Sequence, residues 1–304
     1  MKLLVTGGAG FLGKKIAYYF SKKGYEVIGC GRGNLSVLEQ AEIGFMQWYK
    51  GTLNKSLLTQ IECIPDVVIH CAGGGSVANA AKYPQDDYYS TVESTKILLE
   101  YVREHWPIAK FIYPSSPAVY GACNSQAISI SLPTAPISIY GTHKLMAENY
   151  CEFYKNIYGI NIYIIRLFSV YGIGLEKQIL WEACSKFRDK KKAEFWGNGN
   201  ETRDFIHIKD VLELFDLVIN SNIKNYPYKM NCGSGSQYKI KNIISMLRDY
   251  YHYTGEISFN NQVRIEDPRH YLSDNTESYR YGWKPKEDLN LGLEGYVTWF
   301  KSIV

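Results

Sequence analysis

The chain has 304 residues, 46% of them hydrophobic and 21% charged, with a formal net charge of +4. That composition is ordinary for a globular protein and excludes a disordered or fibrous chain. The positive excess is small and scattered, and its densest run, residues 188–192, is interrupted by Asp189, so no nucleic-acid partner is expected.

Seven cysteines, at 30, 63, 71, 123, 151, 184 and 232, lie far apart, with no Cys-x-x-Cys and no paired Cys/His spacing. Neither a disulfide frame nor a metal site is expected. No stretch approaches the roughly 20 apolar residues of a membrane span, and Gly7 and Gly8 cut Lys2-Leu3-Leu4-Val5 too short for a signal peptide. A cytoplasmic protein without a membrane partner is expected.

In chain order, Leu3-Leu4-Val5 reads as a strand and residues 14–23 as a helix. Val27-Ile28 is a strand followed by a loop. Asp66-Val67-Val68-Ile69 is a strand followed by a helix over 91–103, and Phe111-Ile112-Tyr113 another strand. A helix from about 140 to 158 precedes a strand over Ile162–Leu167. Short β-branched runs without alternation fit a parallel sheet covered on both faces. The fold class is α/β, a Rossmann-type doubly wound parallel sheet. After Arg166, aromatic residues and short segments punctuated by glycines point to a smaller, irregular C-terminal lobe. The boundaries are 1–168 for the dinucleotide-binding domain and 169–304 for the lobe. Residues 204–220, a strand and then a helix with apolar spacing at Val211, Leu214, Phe215 and Val218, are placed back on the main sheet.

The loop after the first strand, Gly7-Gly8-Ala9-Gly10-Phe11-Leu12-Gly13, has glycine at every third position and opens a helix with Phe11 and Leu12. Gly7 suits the tight turn, Gly10 the close approach of a pyrophosphate, and Gly13 the packing of helix on strand. The anion then faces the positive end of the helix dipole. The second strand ends in Gly31-Arg32-Gly33-Asn34, where NAD-binding loops carry an acid for the ribose hydroxyls. A guanidinium in place of a carboxylate attracts a 2′-phosphate, so NADP is favoured; NAD stays open, with Arg32 as a loop charge or adenine stacker.

Tyr140 and Lys144, four apart, share one helical face, and a cation beside a phenol lowers its pKa. Ser115-Ser116-Pro117-Ala118-Val119-Tyr120-Gly121 supplies hydroxyls at the carboxyl end of a strand, where ligands bind in this architecture. With His70-Cys71-Ala72-Gly73, Arg166-Leu167-Phe168-Ser169-Val170-Tyr171-Gly172, Thr202-Arg203-Asp204-Phe205-Ile206-His207 and Gly282-Trp283-Lys284-Pro285, these motifs span almost the whole chain. In them the sequence resembles the extended short-chain dehydrogenase/reductase family, the NAD(P)-dependent epimerases, dehydratases and reductases of nucleotide sugars.

The resemblance implies that Ser116 hydrogen-bonds the reacting oxygen, that Tyr140 is the acid/base, and that Lys144 binds the nicotinamide ribose and tunes Tyr140. Ala72 would line the cofactor. Arg203 and Arg264 would clamp the diphosphate of a nucleotide sugar, Phe195 or Trp196 would pack on its base, and Ser115 and Ser169 would lie beside it. Ser115 has a plain reading too, as a hydrogen-bond cap next to Ser116. His143 reads as a helix-surface residue, His207 as structural, Phe168 and Tyr171 as core. The resemblance further implies a homodimer through residues 88–101 and the helix after Tyr140. Thr91 and Ser169 stand where many relatives carry asparagine, and Pro117-Ala118 replaces the Asp-Glu pair of dehydratases, which a 4,6-dehydratase needs. Two enzyme readings remain. Arg32 favours NADPH-dependent reduction of a nucleotide-linked 4-keto-6-deoxyhexose, and the alternative is a nucleotide-sugar 4-epimerase. A non-catalytic nucleotide-binding regulator is a distant third, because Tyr140 and Lys144 are both present.

Overall fold

A computed structural model describes residues 1–123, 126–189, 191–221, 227–262 and 269–304. Seven strands form one parallel sheet: Lys2–Thr6 (β1), Glu26–Gly31 (β2), Gln47–Lys50 (β3), Val67–His70 (β4), Lys110–Ser115 (β5), Ile162–Leu167 (β6) and Lys229–Cys232. The order across the sheet is Lys229–Cys232, β6, β5, β4, β1, β2, β3. The chain winds outward from β1 through β2 to β3, then crosses to β4 on the other side of β1. The loops after β1 and β4 therefore diverge at a switch point, where a crevice opens at the carboxyl edge.

Side chains alternate between two covered faces. Leu3 and Val5 pack with Ile16, Ala17 and Phe20 of helix Phe11–Lys22 (α1) and with Val211, Leu214, Phe215 and Val218 of helix Ile208–Asn220. Leu4 and Val68 face the other way, against Leu98, Leu99 and Val102 of helix Ser94–His105 and Ala147 and Cys151 of helix Ile139–Tyr158. Both faces are dry, which is why the strands carry no polar alternation.

Three differences from the sequence reading stand out. The stretch after β2, expected as a loop, holds helix Val37–Ile43, with a Ser36/Glu39 capping box, and edge strand β3. That helix buries no residue and β3 only half-buries two, so neither left an apolar period in the sequence. The second difference is in the return to the sheet. Helix Ile208–Asn220 packs on it, but Phe205–His207 pairs with Ser169–Tyr171, and the strand that rejoins it is Lys229–Cys232. The C-terminal part is also more regular than expected: helices Gln178–Asp189, Ile240–Tyr251 and Leu289–Ile303 share a core rich in aromatics. Where the parts meet, the buried Asp204 carboxylate accepts from Ser234 N and Oγ (2.6 and 2.7 Å), Gly235 N (3.1 Å) and Ser273 N and Oγ (3.0 and 2.6 Å). Among the described residues no helix is long and apolar enough to cross a membrane.

Candidate active site

The crevice is a cleft of about 1490 Å³, lined from both parts of the chain. Its floor at β1 is shaped by glycines. Gly7 has φ +64°, and a Cβ there would lie 2.7 Å from the Cys71–Ala72 peptide. A Cβ at Gly13 would lie 2.6 Å from the Gly7 carbonyl oxygen, whereas at Gly10 the same oxygen would be 3.3 Å away. Gly7 thus makes the turn and Gly13 the tight packing, and Gly10 leaves the backbone bare at the start of α1. That helix has no side-chain cap and no acid in its first turn, so its first N–H groups, at Phe11 and Leu12 on the cleft wall, are available to an anion. A dinucleotide pyrophosphate fits this cradle.

Behind it runs a buried chain of hydrogen bonds. Thr6 Oγ1 accepts from Ala72 N (3.2 Å) and lies 2.7 Å from His70 Nδ1; His70 Nε2 lies 3.0 Å from Thr95 Oγ1, which donates to the Thr91 carbonyl (2.5 Å). The pattern assigns a neutral ring protonated on Nε2, and burial, with Lys144 nearby, pushes the His70 pKa down to about 3. Thr91 Oγ1 accepts from Gly74 N (2.8 Å) and so fixes the loop after β4, with Ala72 and Gly73 on the cleft wall.

At the end of β5, Ser116 starts the short turn Pro117–Tyr120, its Oγ accepting from Ala118 N (3.2 Å). Ser138 caps helix Ile139–Tyr158 by accepting from Gly141 N (3.1 Å), and Gly141 packs against the Ala118 carbonyl too closely for any side chain. This contact brings Tyr140 beside Ser116, near enough for the Ser116 hydroxyl to favour the phenolate. One turn on, Lys144 Nζ donates to the Pro114 carbonyl (3.1 Å) and sits 4.9 Å from the centre of the Tyr113 ring. Burial pushes the Lys144 pKa down to about 8. The phenol does not show the expected depression. Burial pushes Tyr140 up to about 12, the Ser116 hydroxyl opposes the rise and the Asp87 charge adds to it, while the ammonium is turned to Pro114 and Tyr113.

Ser115, expected beside the substrate, is engaged elsewhere: its Oγ donates to Glu148 Oε1 (2.5 Å), and Glu148 takes a two-pronged bond from Arg166 (2.9 and 2.6 Å). Arg166 in turn stacks on Tyr120, 4.5 Å from the ring centre. Phe195 is a correction. In strand Lys192–Phe195 the buried positions are Ala193 and Phe195, so Phe195 packs in the C-terminal core, and Trp196, the next residue, faces the cleft. Ser169 and Arg203 line the cleft, Arg203 Nη1 donating to the Thr202 carbonyl (2.9 Å). Arg264 lies outside the described residues. Arg32 is exposed at the other end of the cleft, and Gly33 beside it packs on Ala9 too tightly for a side chain.

His143 also departs from expectation: it is buried, with Nδ1 2.7 Å from Asp87 Oδ2. Asp87 was invisible to motif reading, since nothing in residues 84–88 marks it as buried. Two further cations line the cleft, Lys177 against Gly75 and Arg269 beside His270. They sit in segments without a motif, and only the fold shows where they point. His207, Phe168 and Tyr171 are buried.

The sequence model of the NAD dependent epimerase/dehydratase family matches residues 3–233. A Methanocaldococcus jannaschii protein provisionally named a UDP-glucose 4-epimerase is 31% identical over 310 residues, 99% of this chain and 98% of its own. The UDP-glucuronic acid 4-epimerase of Bacillus cereus, solved with UDP-glucuronic acid and NAD, aligns at TM-score 0.89 and 28% identity over 100% of both chains. The UDP-glucose 4-epimerase of Thermotoga maritima, solved with UDP-glucose, aligns at TM-score 0.89 and 25% identity over 99% of each. The chain belongs to the NAD dependent epimerase/dehydratase family, among the extended short-chain dehydrogenase/reductases, and is an enzyme of that nucleotide-sugar group.

Proposed function

We propose that the enzyme is a nucleotide-sugar 4-epimerase that acts on a UDP-linked hexose or hexuronic acid and uses a nicotinamide dinucleotide. The observation that carries the reading is the assembly of Ser116, Tyr140 and Lys144 at one end of the glycine-floored cleft. The 4-epimerases among its relatives supply the position of attack and the uridine nucleotide.

Ser116 Oγ holds the sugar O4, and Tyr140 Oη removes its proton as the C4–H bond breaks. The bound nicotinamide supplies the chemistry of taking a hydride from C4 and giving it back to the opposite face. Tyr140 then returns the proton to O4. Burial pushes the phenol up to about 12, so Tyr140 acts as a base near neutrality only with positive charge beside it, which an oxidised nicotinamide held by Lys144 would supply. Lys144 stays within the site to hold the nicotinamide ribose. Pro117 and Ala118, buried in the turn after Ser116, have no group that moves a proton, so dehydration is not proposed.

This replaces reduction of a 4-keto-6-deoxyhexose as the leading reading. That preference rested on Arg32, which speaks to the cofactor's 2′-phosphate and not to the direction of hydride flow. Arg32 still favours NADP, because residues 31–34 hold no carboxylate, and the reductase stays as the second reading because it would use the same Ser116, Tyr140 and Lys144. Incubation with UDP-glucose, UDP-galactose and UDP-glucuronic acid without added cofactor decides between them. Interconversion of 4-epimers is expected. Inertness towards all three, with stoichiometric NADPH loss on a nucleotide-linked 4-keto-6-deoxyhexose, would establish the reductase instead.

For the cofactor, the expected result is that NADPH binds more tightly than NADH and that Arg32→Asp weakens NADPH by about 1–3 kcal/mol, the scale of a lost charge-assisted contact. Equal affinity of the unmodified enzyme for both dinucleotides in a fluorescence titration refutes the selector role of Arg32.

A further inference from the structure

The helix that carries Tyr140 and Lys144 rests on a buried ionisable pair that the reaction above leaves unused. His143, between the two in sequence, places Nδ1 2.7 Å from Asp87 Oδ2, with side-chain exposures of 10% and 2%. Asp87 belongs to the short helix Pro84–Tyr88, and its other oxygen lies against Gly74 so closely that any side chain there would displace it. Tyr88 closes the pair from the side, its ring edge-on to the imidazole at 5.6 Å. One carboxylate, carried on helix Pro84–Tyr88, thus meets both the catalytic helix and the cofactor loop after β4.

A carboxylate so deeply buried is costly unless it is paired, and an apolar contact would join two helices at less expense. What it adds is charge at a fixed place. The titratable groups in its field are Tyr140 and Lys144 on the catalytic helix and Tyr113 on β5. Lys144 also feels Glu148 on its own helix and Lys177 against Gly75, while Lys82 lies over Tyr83, Glu93 pairs with Lys96, and Asp86 faces the cleft.

We infer that Asp87 and His143 are a positioning pair, in which the imidazole Nδ1–H anchors the carboxylate, and the anchored carboxylate holds the Tyr140–Lys144 turn against the cofactor loop and keeps a negative charge behind it. The inference takes the catalytic roles of Tyr140 and Lys144 from the proposed function. The charge favours the ammonium at Lys144 and disfavours the phenolate at Tyr140. Asp87→Asn keeps the shape and removes the charge, whereas His143→Gln keeps the charge and a donor for it.

The test reads Lys144 directly, so it needs no sugar: competitive labelling with a small amine-reactive reagent across pH, scored by mass spectrometry of the Lys144 peptide. The labelling midpoint is expected to fall by roughly 0.5–1 pH unit in Asp87→Asn and to stay at its original value in His143→Gln. In turnover, Asp87→Asn is expected to lose about tenfold in kcat with KM changed less than about threefold, and His143→Ala, which removes the donor that anchors the carboxylate, to lose several-fold in kcat that His143→Gln recovers in part. An unmoved Lys144 midpoint in a folded Asp87→Asn protein, or an equal shift in Asp87→Asn and His143→Gln, overturns the inference. Absence of sugar turnover by the unmodified enzyme speaks against the proposed function alone.

Discussion

Tyr140→Phe is expected to turn over about 100- to 10,000-fold more slowly than the unmodified enzyme while binding the dinucleotide nearly as well. The substitution removes one atom, the phenolic oxygen that takes and returns the O4 proton, and leaves the ring where the Gly141–Ala118 contact puts it. The cofactor cradle is built from Gly7, Gly13 and the start of α1, none of which leans on that oxygen. Ser116 keeps its bond from Ala118 N, so the turn survives. The loss belongs in kcat, with KM for the sugar moving little, because the oxygen matters most where the proton is in flight. Steady-state kinetics beside a dinucleotide titration check it. Near-normal turnover would place the proton transfer on another residue.

The second large effect is on stability. Arg166→Met is expected to cost about 3–5 kcal/mol, because it leaves the Glu148 carboxylate buried without its cation. Arg166 and Glu148 have side-chain exposures of 2% and 1%, so water cannot take the place of the guanidinium. Ser115 remains on Glu148 Oε1, but one hydroxyl does not offset a buried charge. Replacing both partners, as Arg166→Met with Glu148→Leu, is expected to recover most of the loss, since an apolar pair needs no compensation. Urea unfolding of the two variants checks the pattern. A single variant as stable as the original, or a double variant worse than the single, would show that the pair is not what holds this part of the core.

The parts legible in the sequence share a physical trait: each is imposed by the backbone or by short-range spacing. The glycine loop declares itself because no other residue fits at Gly7 or Gly13, and Tyr140 and Lys144 because four residues make one helical turn. Strands β1, β4, β5 and β6 are legible because both their faces are dry. The parts that were not legible depend on contacts distant in sequence. Asp87 and His143 are 56 residues apart, so neither position announces that the other will bury it. Phe195 ends a short strand on its buried side and Trp196 follows just beyond it, and the parity of that strand was not readable among so many aromatics. The burial that leaves the Tyr140 phenol high, and the turning of Lys144 towards Pro114, depend on where β5 ends relative to a helix that begins after a long loop.

The place of strand Lys229–Cys232 also constrains how the protein is made. β6 pairs on one side with β5 and on the other only with this strand, which comes more than sixty residues later in the chain. Helix Ile208–Asn220, which covers the Leu3 and Val5 face beside α1, is likewise late. As the chain leaves the ribosome from its N-terminus, the first six strands can associate while one edge still offers bare N–H and C=O groups and part of one face is uncovered. That is the state in which sheets join to neighbouring chains. Asp204 gathers Ser234, Gly235 and Ser273 only after all of these have emerged, so the joint that completes the cleft is among the last pieces of the molecule to form during synthesis.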